Sequence, residues 1–256
     1  MWFHSILLVS NRWRKFLPRC LENRDGSKIL AVLFDLDETL VDAAKGLRLA
    51  HKSVSRKILQ ILGKSVRITT IMEEIAKLDD EMNRRREYDR NLWWQKLVDR
   101  LCYHARLPPP LLIELTETYW KSYAEAAMPY QDVEEVLLYL RRKNYLLGIV
   151  TDTDVAPGIK RWRISKLPFS NVFDVIVIAG EDTERTKPDV EAFLLAARKL
   201  GVPKSSCAFV GDKPFTDIKG AKAAGMATIL VKRRQWASNV KADFTIKRLA
   251  EIKEIL

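Results

Sequence analysis

Residues 29–40 read Ile29-Leu30-Ala31-Val32-Leu33-Phe34-Asp35-Leu36-Asp37-Glu38-Thr39-Leu40. The first six residues are an unbroken apolar run, the pattern of a strand buried on both faces of a parallel sheet. Two carboxylates follow at once, Asp35 and Asp37. They fall where the strand ends, and open parallel sheets bind their ligands beyond the carboxyl ends of the strands.

Working outward, further apolar runs at 145–150, 175–178, 208–210 and 228–231 predict four more strands. The stretches between them predict helices. One covers 133–143 with Asp132 as its cap. Another opens at Asp189, runs to Leu200 and stops at Gly201 and Pro203. A third spans 217–224 and ends at Gly225. Strands alternating with helices predict an α/β fold with a doubly wound parallel sheet, Rossmann-like in outline. Residues 43–128 interrupt the alternation with helix after helix, at about 44–62, 68–86, 88–105 and 110–126. Gly63 and the prolines at 108–110 punctuate them. The expected organisation is therefore a basic extension at 1–28, an α/β core formed by 29–42 with 129–256, and an all-helical insert at 43–128.

The 256 residues are 47% hydrophobic and 30% charged, which excludes a disordered chain. No apolar run approaches the roughly 20 residues that cross a bilayer, so no membrane partner is expected. The net charge is +11, but the basic residues are spread along the chain without a nucleic-acid-binding motif, so no nucleic-acid partner is expected either. In the extension, an apolar stretch at 2–9 precedes Arg12, Arg14, Lys15 and Arg19, the reverse of a secretory signal's order. Cys20, Cys102 and Cys207 are odd in number and scattered. They make neither a disulfide framework nor a zinc site, and a reducing cytoplasm is the expected location. His4, His51 and His104 show no ligand spacing.

Just past the later strands come Thr151 with Asp152, then Lys187, then Asp212 and Asp217. Carboxylates crowded on one sheet edge repel one another and raise each other's pKa. A hard divalent cation relieves that repulsion, and oxygen ligands suit Mg²⁺. A cation, a lysine and a hydroxyl together make a receptor for phosphate. Two carboxylates two residues apart can then divide labour, one attacking phosphorus and the other managing protons.

The set of motifs resembles the haloacid dehalogenase superfamily over about residues 29–256. Its four motifs occur in order: Phe34-Asp35-Leu36-Asp37-Glu38-Thr39-Leu40, then Ile149-Val150-Thr151, then Lys187-Pro188-Asp189, then Gly211-Asp212-Lys213-Pro214-Phe215-Thr216-Asp217. The resemblance implies that Asp35 forms an aspartyl-phosphate. It implies that Asp37 protonates the leaving group and then activates water. Mg²⁺ would be held by Asp35, the main-chain carbonyl of Asp37, and Asp212. Thr151 and Lys187 would hold phosphate oxygens, and Asp217 would orient the metal site. The helical insert matches the family's type-one cap, which closes over the site and selects substrate. The dehalogenase branch lacks a carboxylate at the position of Asp37, so its presence implies phosphoryl chemistry.

The expected activity is Mg²⁺-dependent hydrolysis of a small phosphorylated metabolite, as in the family's phosphoglycolate phosphatases, sugar-phosphate phosphatases and nucleotidases. The alternative is a phosphomutase that moves phosphate between sugar hydroxyls through the same Asp35. A non-catalytic phospho-acceptor module lacks both an acid/base like Asp37 and an inserted helical cap. Within the insert, Lys45, Arg84 and Arg85 are candidates for touching substrate, against the commoner reading of such charges as a solvated face. Trp93 and Trp94 are adjacent and point apart on a helix, so at least one packs in a core. Asp152 is read as a loop acceptor first and a site residue second, and Asp154 is assigned no role.

Overall fold

The computed structural model describes residues 28–62, 66–85, 87–102 and 106–256, the side chains of Arg84 and Cys102 excepted. All but the last residue of the expected N-terminal extension lies outside this set, as do Arg86 and His104.

Strand β1 (Ala31–Phe34) is completely buried, as its apolar run demands. It lies at the centre of a six-stranded sheet, between β4 (Leu146–Asp152) and β6 (Cys207–Gly211). Outside these lie β5 (Val175–Ala179) on one side, and β7 (Ala227–Val231) and then β8 (Phe244–Ile246) on the other. The order is β5-β4-β1-β6-β7-β8, and every pairing is parallel. Alternate residues feed opposite faces. On one face Val32, Phe34, Leu147, Ile149, Val210 and Ile229 pack with Val133, Val136, Leu137 and Leu140 of α5 (Val133–Arg142). On the other, Ala31, Leu33, Val150, Val177 and Phe209 pack with Ala192, Phe193 and Ala196 of α7 (Glu191–Leu200) and with Ala221 of α8 (Lys219–Ala223). Helices on both faces are what a doubly wound sheet requires.

Three details depart from the sequence reading. β8 has no apolar run to reveal it, because Phe244 and Thr245 are exposed and only Ile246 is buried. Asp132 begins α5 but caps no amide there; its carboxylate accepts from Arg233 at 3.2 Å and from the Ala250 N–H at 3.2 Å. A short helix, α6 (Ile159–Ser165), fills the stretch after β4.

The interruption is helical: α1 (Ala43–Leu62), α2 (Ile68–Arg85), α3 (Arg90–Cys102) and α4 (Pro109–Ala126). It leaves the core through β2 (Val41–Asp42) and returns through β3 (Met128–Pro129), and these two short strands pair antiparallel. β3 is only two residues long and no residue of it is buried, so the sequence showed no strand there. α1 packs closely on α4. A Cβ added at Gly46 would lie 2.9 Å from the Tyr123 carbonyl oxygen and 3.0 Å from the Ala127 Cβ. Trp93 and Trp94 are both buried, their Nε1 groups donating to the Glu87 carbonyl at 2.7 Å and the Thr116 hydroxyl at 2.8 Å. His51 has a neighbour the sequence did not suggest, the Asp79 carboxylate 4.0 Å away. Apolar contacts run without a break from these helices into the β1 face of the sheet.

Candidate active site

The carboxyl ends of β1, β4 and β6 bring the motif residues together. Asp35 directly follows β1, and its N–H donates to the Val210 carbonyl at 2.9 Å, which fixes the turn against the neighbouring strand. Lys187 is 2% exposed, and its ammonium donates to Asp35 Oδ1 at 2.6 Å and to Asp217 Oδ1 at 2.8 Å. Its N–H donates to Asp152 Oδ1 at 2.8 Å, the loop-acceptor geometry expected of that residue. Asp217 is wholly buried and also accepts the Lys213 N–H at 3.0 Å. Thr151, the penultimate residue of β4, is buried and directly precedes Asp152. Gly211 is needed where β6 ends, because a Cβ there would come within 2.6 Å of the Asp217 Cβ.

Asp35, Asp212 and Asp217 each present a carboxylate oxygen within 4.8 Å of the others. Asp212 is 1% exposed, and neither of its carboxylate oxygens has a hydrogen-bond partner among the described residues. Buried charges are normally paired or coordinate a metal. Burial pushes the Asp212 carboxyl well above the usual range; the Lys213 charge opposes this, and Asp217 and Asp35 reinforce it. Burial likewise raises Asp35, against the pull of Lys187. Burial alone would lower Lys187, but Asp217, Asp35 and Asp152 outweigh it and hold the ammonium well above its ordinary pKa. An all-oxygen cluster with two orphaned acceptors is a fitting donor set for Mg²⁺.

Asp37 lies on the turn beyond β1 and faces a different group. Its Oδ1 accepts from the Tyr123 hydroxyl of α4 at 2.7 Å and from the Arg163 guanidinium, and its Oδ2 accepts from Lys160 at 2.9 Å. Burial alone would raise its pKa, but the Arg163 and Lys160 charges hold the carboxyl well below the usual range. Both cations also bind Asp154, Arg163 at 2.8 and 3.0 Å and Lys160 at 2.8 Å. Sequence reasoning missed Tyr123, Lys160 and Arg163, and it left the role of Asp154 open. One signal was available: Lys160 and Arg163 are three apart, the spacing of one helical face.

Glu38 adopts a left-handed backbone, φ 65°, uncommon for a residue with a side chain. Its carboxylate is held by the Tyr130 hydroxyl at 2.9 Å and by Arg234 at 2.8 Å. Of the candidates on the helical segment, Lys45 is exposed near the start of α1, and Arg85 is exposed and paired with Glu81 at 3.0 Å. Among the described residues, no hydrogen bond or ion pair joins either to the carboxylate cluster. The Arg84 side chain lies outside the described residues.

The parallel sheet, with its carboxylate cluster at the strand ends, is that of a haloacid dehalogenase-like hydrolase. The model of that family matches residues 29–225, and the chain belongs to it. Among individual proteins, the chain is 29% identical to a glyceraldehyde 3-phosphate phosphatase of Methanopyrus kandleri, over 89% of this chain and 97% of that one. It is 31% identical to a phosphoglycolate phosphatase of Shigella dysenteriae, over 78% of this chain and 80% of the relative. A solved haloacid dehalogenase-type phosphatase of Thermococcus onnurineus superimposes with a TM-score of 0.65 at 27% identity, covering 88% of this chain and 97% of that one.

Proposed function

We propose that this chain is a Mg²⁺-dependent phosphatase of small phosphorylated metabolites, with Asp35 as nucleophile and Asp37 as general acid/base. The observation that carries the reading is the buried Asp35–Lys187 pair beside Asp212, whose two carboxylate oxygens are orphaned. Asp35 attacks phosphorus and the ester oxygen departs with a proton from Asp37, which carries one only once it is released from the Lys160 and Arg163 contacts that hold it ionised. Water, deprotonated by Asp37, then releases inorganic phosphate and restores the Asp35 carboxylate. Lys187 neutralises Asp35 and, with Thr151, receives phosphate oxygens. Asp35, Asp212 and the Asp37 main-chain carbonyl would hold Mg²⁺, with Asp217 as the support that orients them. When bound, the ion supplies positive charge against the phosphoryl oxygens.

The segment at 43–128 serves as a cap. Support comes from its entry and exit through the paired β2 and β3, and from Tyr123, which reaches from α4 to Asp37. The phosphatases to which the chain is similar are named for two- and three-carbon phosphates, so substrates of that size head the panel. No helix among the described residues is long and apolar enough to cross a membrane. The scattered cysteines support a cytoplasmic setting.

The test is phosphate release from p-nitrophenyl phosphate, phosphoglycolate, glyceraldehyde 3-phosphate and hexose phosphates, with Mg²⁺, with chelator and in Asp35→Asn. Release should require Mg²⁺ and vanish in the variant. A folded, Mg²⁺-loaded protein that releases nothing from any of them overturns the reading. An isomeric hexose phosphate in place of inorganic phosphate would make it a mutase.

A further inference from the structure

Lys160 and Arg163 share one face of α6 and bind carboxylates on two sides. On the inner side both hold Asp154, Arg163 at 2.8 and 3.0 Å and Lys160 at 2.8 Å. On the outer side both hold Asp37, Lys160 at 2.9 Å. The two cations are 3% and 5% exposed and Asp154 is 3% exposed, whereas Asp37 keeps a quarter of its side chain exposed. α4 walls the pair from the helical segment. The Arg163 guanidinium lies 4.6 Å from the centroid of Trp120 and 4.2 Å from that of Tyr123, and the Lys160 ammonium lies 5.8 Å from that of Trp120. Asp154 and the rings thus hold both cations in place, and Asp37 is the solvent-facing member of the group.

The charges decide what this arrangement accepts. Two cations meet two carboxylates, and Asp154 balances one cation wherever Asp37 points. When the Asp37 carboxylate turns away, one buried positive charge loses its counter-ion, which is costly. An anion that takes its place removes that cost, and a neutral group does not. A carboxylate suits the place best, because a guanidinium offers it a planar fork of donors. The position is equally specific. On the phosphatase reading the ester oxygen departs beside Asp37. The atoms attached to that oxygen are therefore the part of the substrate nearest to Lys160 and Arg163.

We infer that Lys160 and Arg163 are specificity-determining residues, the receptor for a carboxylate that the leaving group carries close to its ester oxygen, and that the Asp37 side chain occupies the place this carboxylate takes. This rests on the phosphatase reading above and deepens it by naming the substrate class. The receptor belongs to α6, not to Lys45 or Arg85 of the helical segment, which are exposed. The displaced Asp37 is then free to turn toward the ester oxygen.

The experiment compares kcat/KM for two esters of one size and shape, phosphoglycolate and its neutral amide, phosphoglycolamide. An amide withdraws electrons more strongly than a carboxylate, so leaving-group chemistry by itself favours the amide. A site built around a polar partner rejects the analogue that lacks it, and wild type should favour the acid by at least about tenfold. Lys160→Met should lose most of that preference. Lys160→Arg, which keeps the charge, should retain it. A merely structural disturbance lowers both esters alike and leaves their ratio unchanged. Near-UV circular dichroism checks that the variants are folded, and the wild-type ratio decides alone if Lys160→Met does not fold. A wild-type preference below about tenfold overturns the inference. So does a preference undiminished in folded Lys160→Met. Either result leaves the phosphatase reading intact, as does a wild type that hydrolyses p-nitrophenyl phosphate but neither of these esters, which also overturns the inference. Silence on all three overturns the phosphatase reading, and this inference with it.

Discussion

Asp212 is a buried carboxylate and Asp174 an exposed one, and their surroundings push them in opposite directions. Burial without a partner among the described residues raises Asp212 well above the usual range. Any stability linked to its protonated form is therefore present below about pH 3.9 and lost as pH rises through the folded-state pKa. Without a divalent ion, Asp212→Asn should raise Tm by an amount that grows as pH rises through the folded-state pKa, because the amide removes the cost of ionising a buried, unpartnered carboxyl. Thermal melts in chelator check this, and an unchanged or lower Tm contradicts it. Asp174 is the reverse case. Burial works against its charged form, but two bonds from Arg141, at 2.8 and 2.7 Å, and the Leu147 N–H at 2.8 Å lower its pKa. Its contribution is present above about pH 3.9 and lost as pH falls through the lowered value. Asp174→Asn should cost about 1 kcal/mol at pH 7. In urea titrations the gap from wild type should narrow toward about pH 3.

At the scale of elements, the strands and long helices were legible because their signals are local. β1, β4, β5, β6 and β7 are apolar runs, and α1 to α4 are long, with Gly63 and the prolines at 108–110 as punctuation. The elements that escaped are short. α6 has seven residues, and β8 has three with only one buried. Neither offers enough periodicity to register. The contact between α1 and α4 is an element-level feature with a sharp consequence. Gly46 lets the α1 backbone approach the Tyr123 carbonyl, and Tyr123 carries the hydroxyl that reaches Asp37. Gly46→Leu should push the helices apart, cost about 1–3 kcal/mol by overpacking and lower turnover by displacing Tyr123. Urea denaturation and steady-state kinetics on the same preparation would show both effects. A Gly46→Leu variant as stable and active as wild type would mean the contact is loose.

At the scale of the whole molecule, one apolar cluster runs from the helical segment into the sheet. The described residues should therefore unfold as a unit, with far-UV and near-UV melts coincident. Two separated transitions would show that the helical segment unfolds independently. Mg²⁺ at about 100 times its Kd should stabilise the protein by about 2.7 kcal/mol. For a chain of this size that is a rise in Tm of roughly 5–10 °C. The rise should be absent in Asp212→Asn. What the sequence determined by itself was the order of strands and helices and the identity of the residues at the strand ends. Asp35, Thr151, Lys187 and Asp212 each follow or end a local pattern, and a parallel sheet necessarily gathers its strand ends at one edge. Only the tertiary structure decided the surroundings of Asp37. Tyr123 is 86 residues away from it in the chain, Lys160 is 123 and Arg163 is 126. Nothing local marks a tyrosine on one helix and two cations on another as partners, because their meeting depends on how α4 and α6 pack over the end of β1.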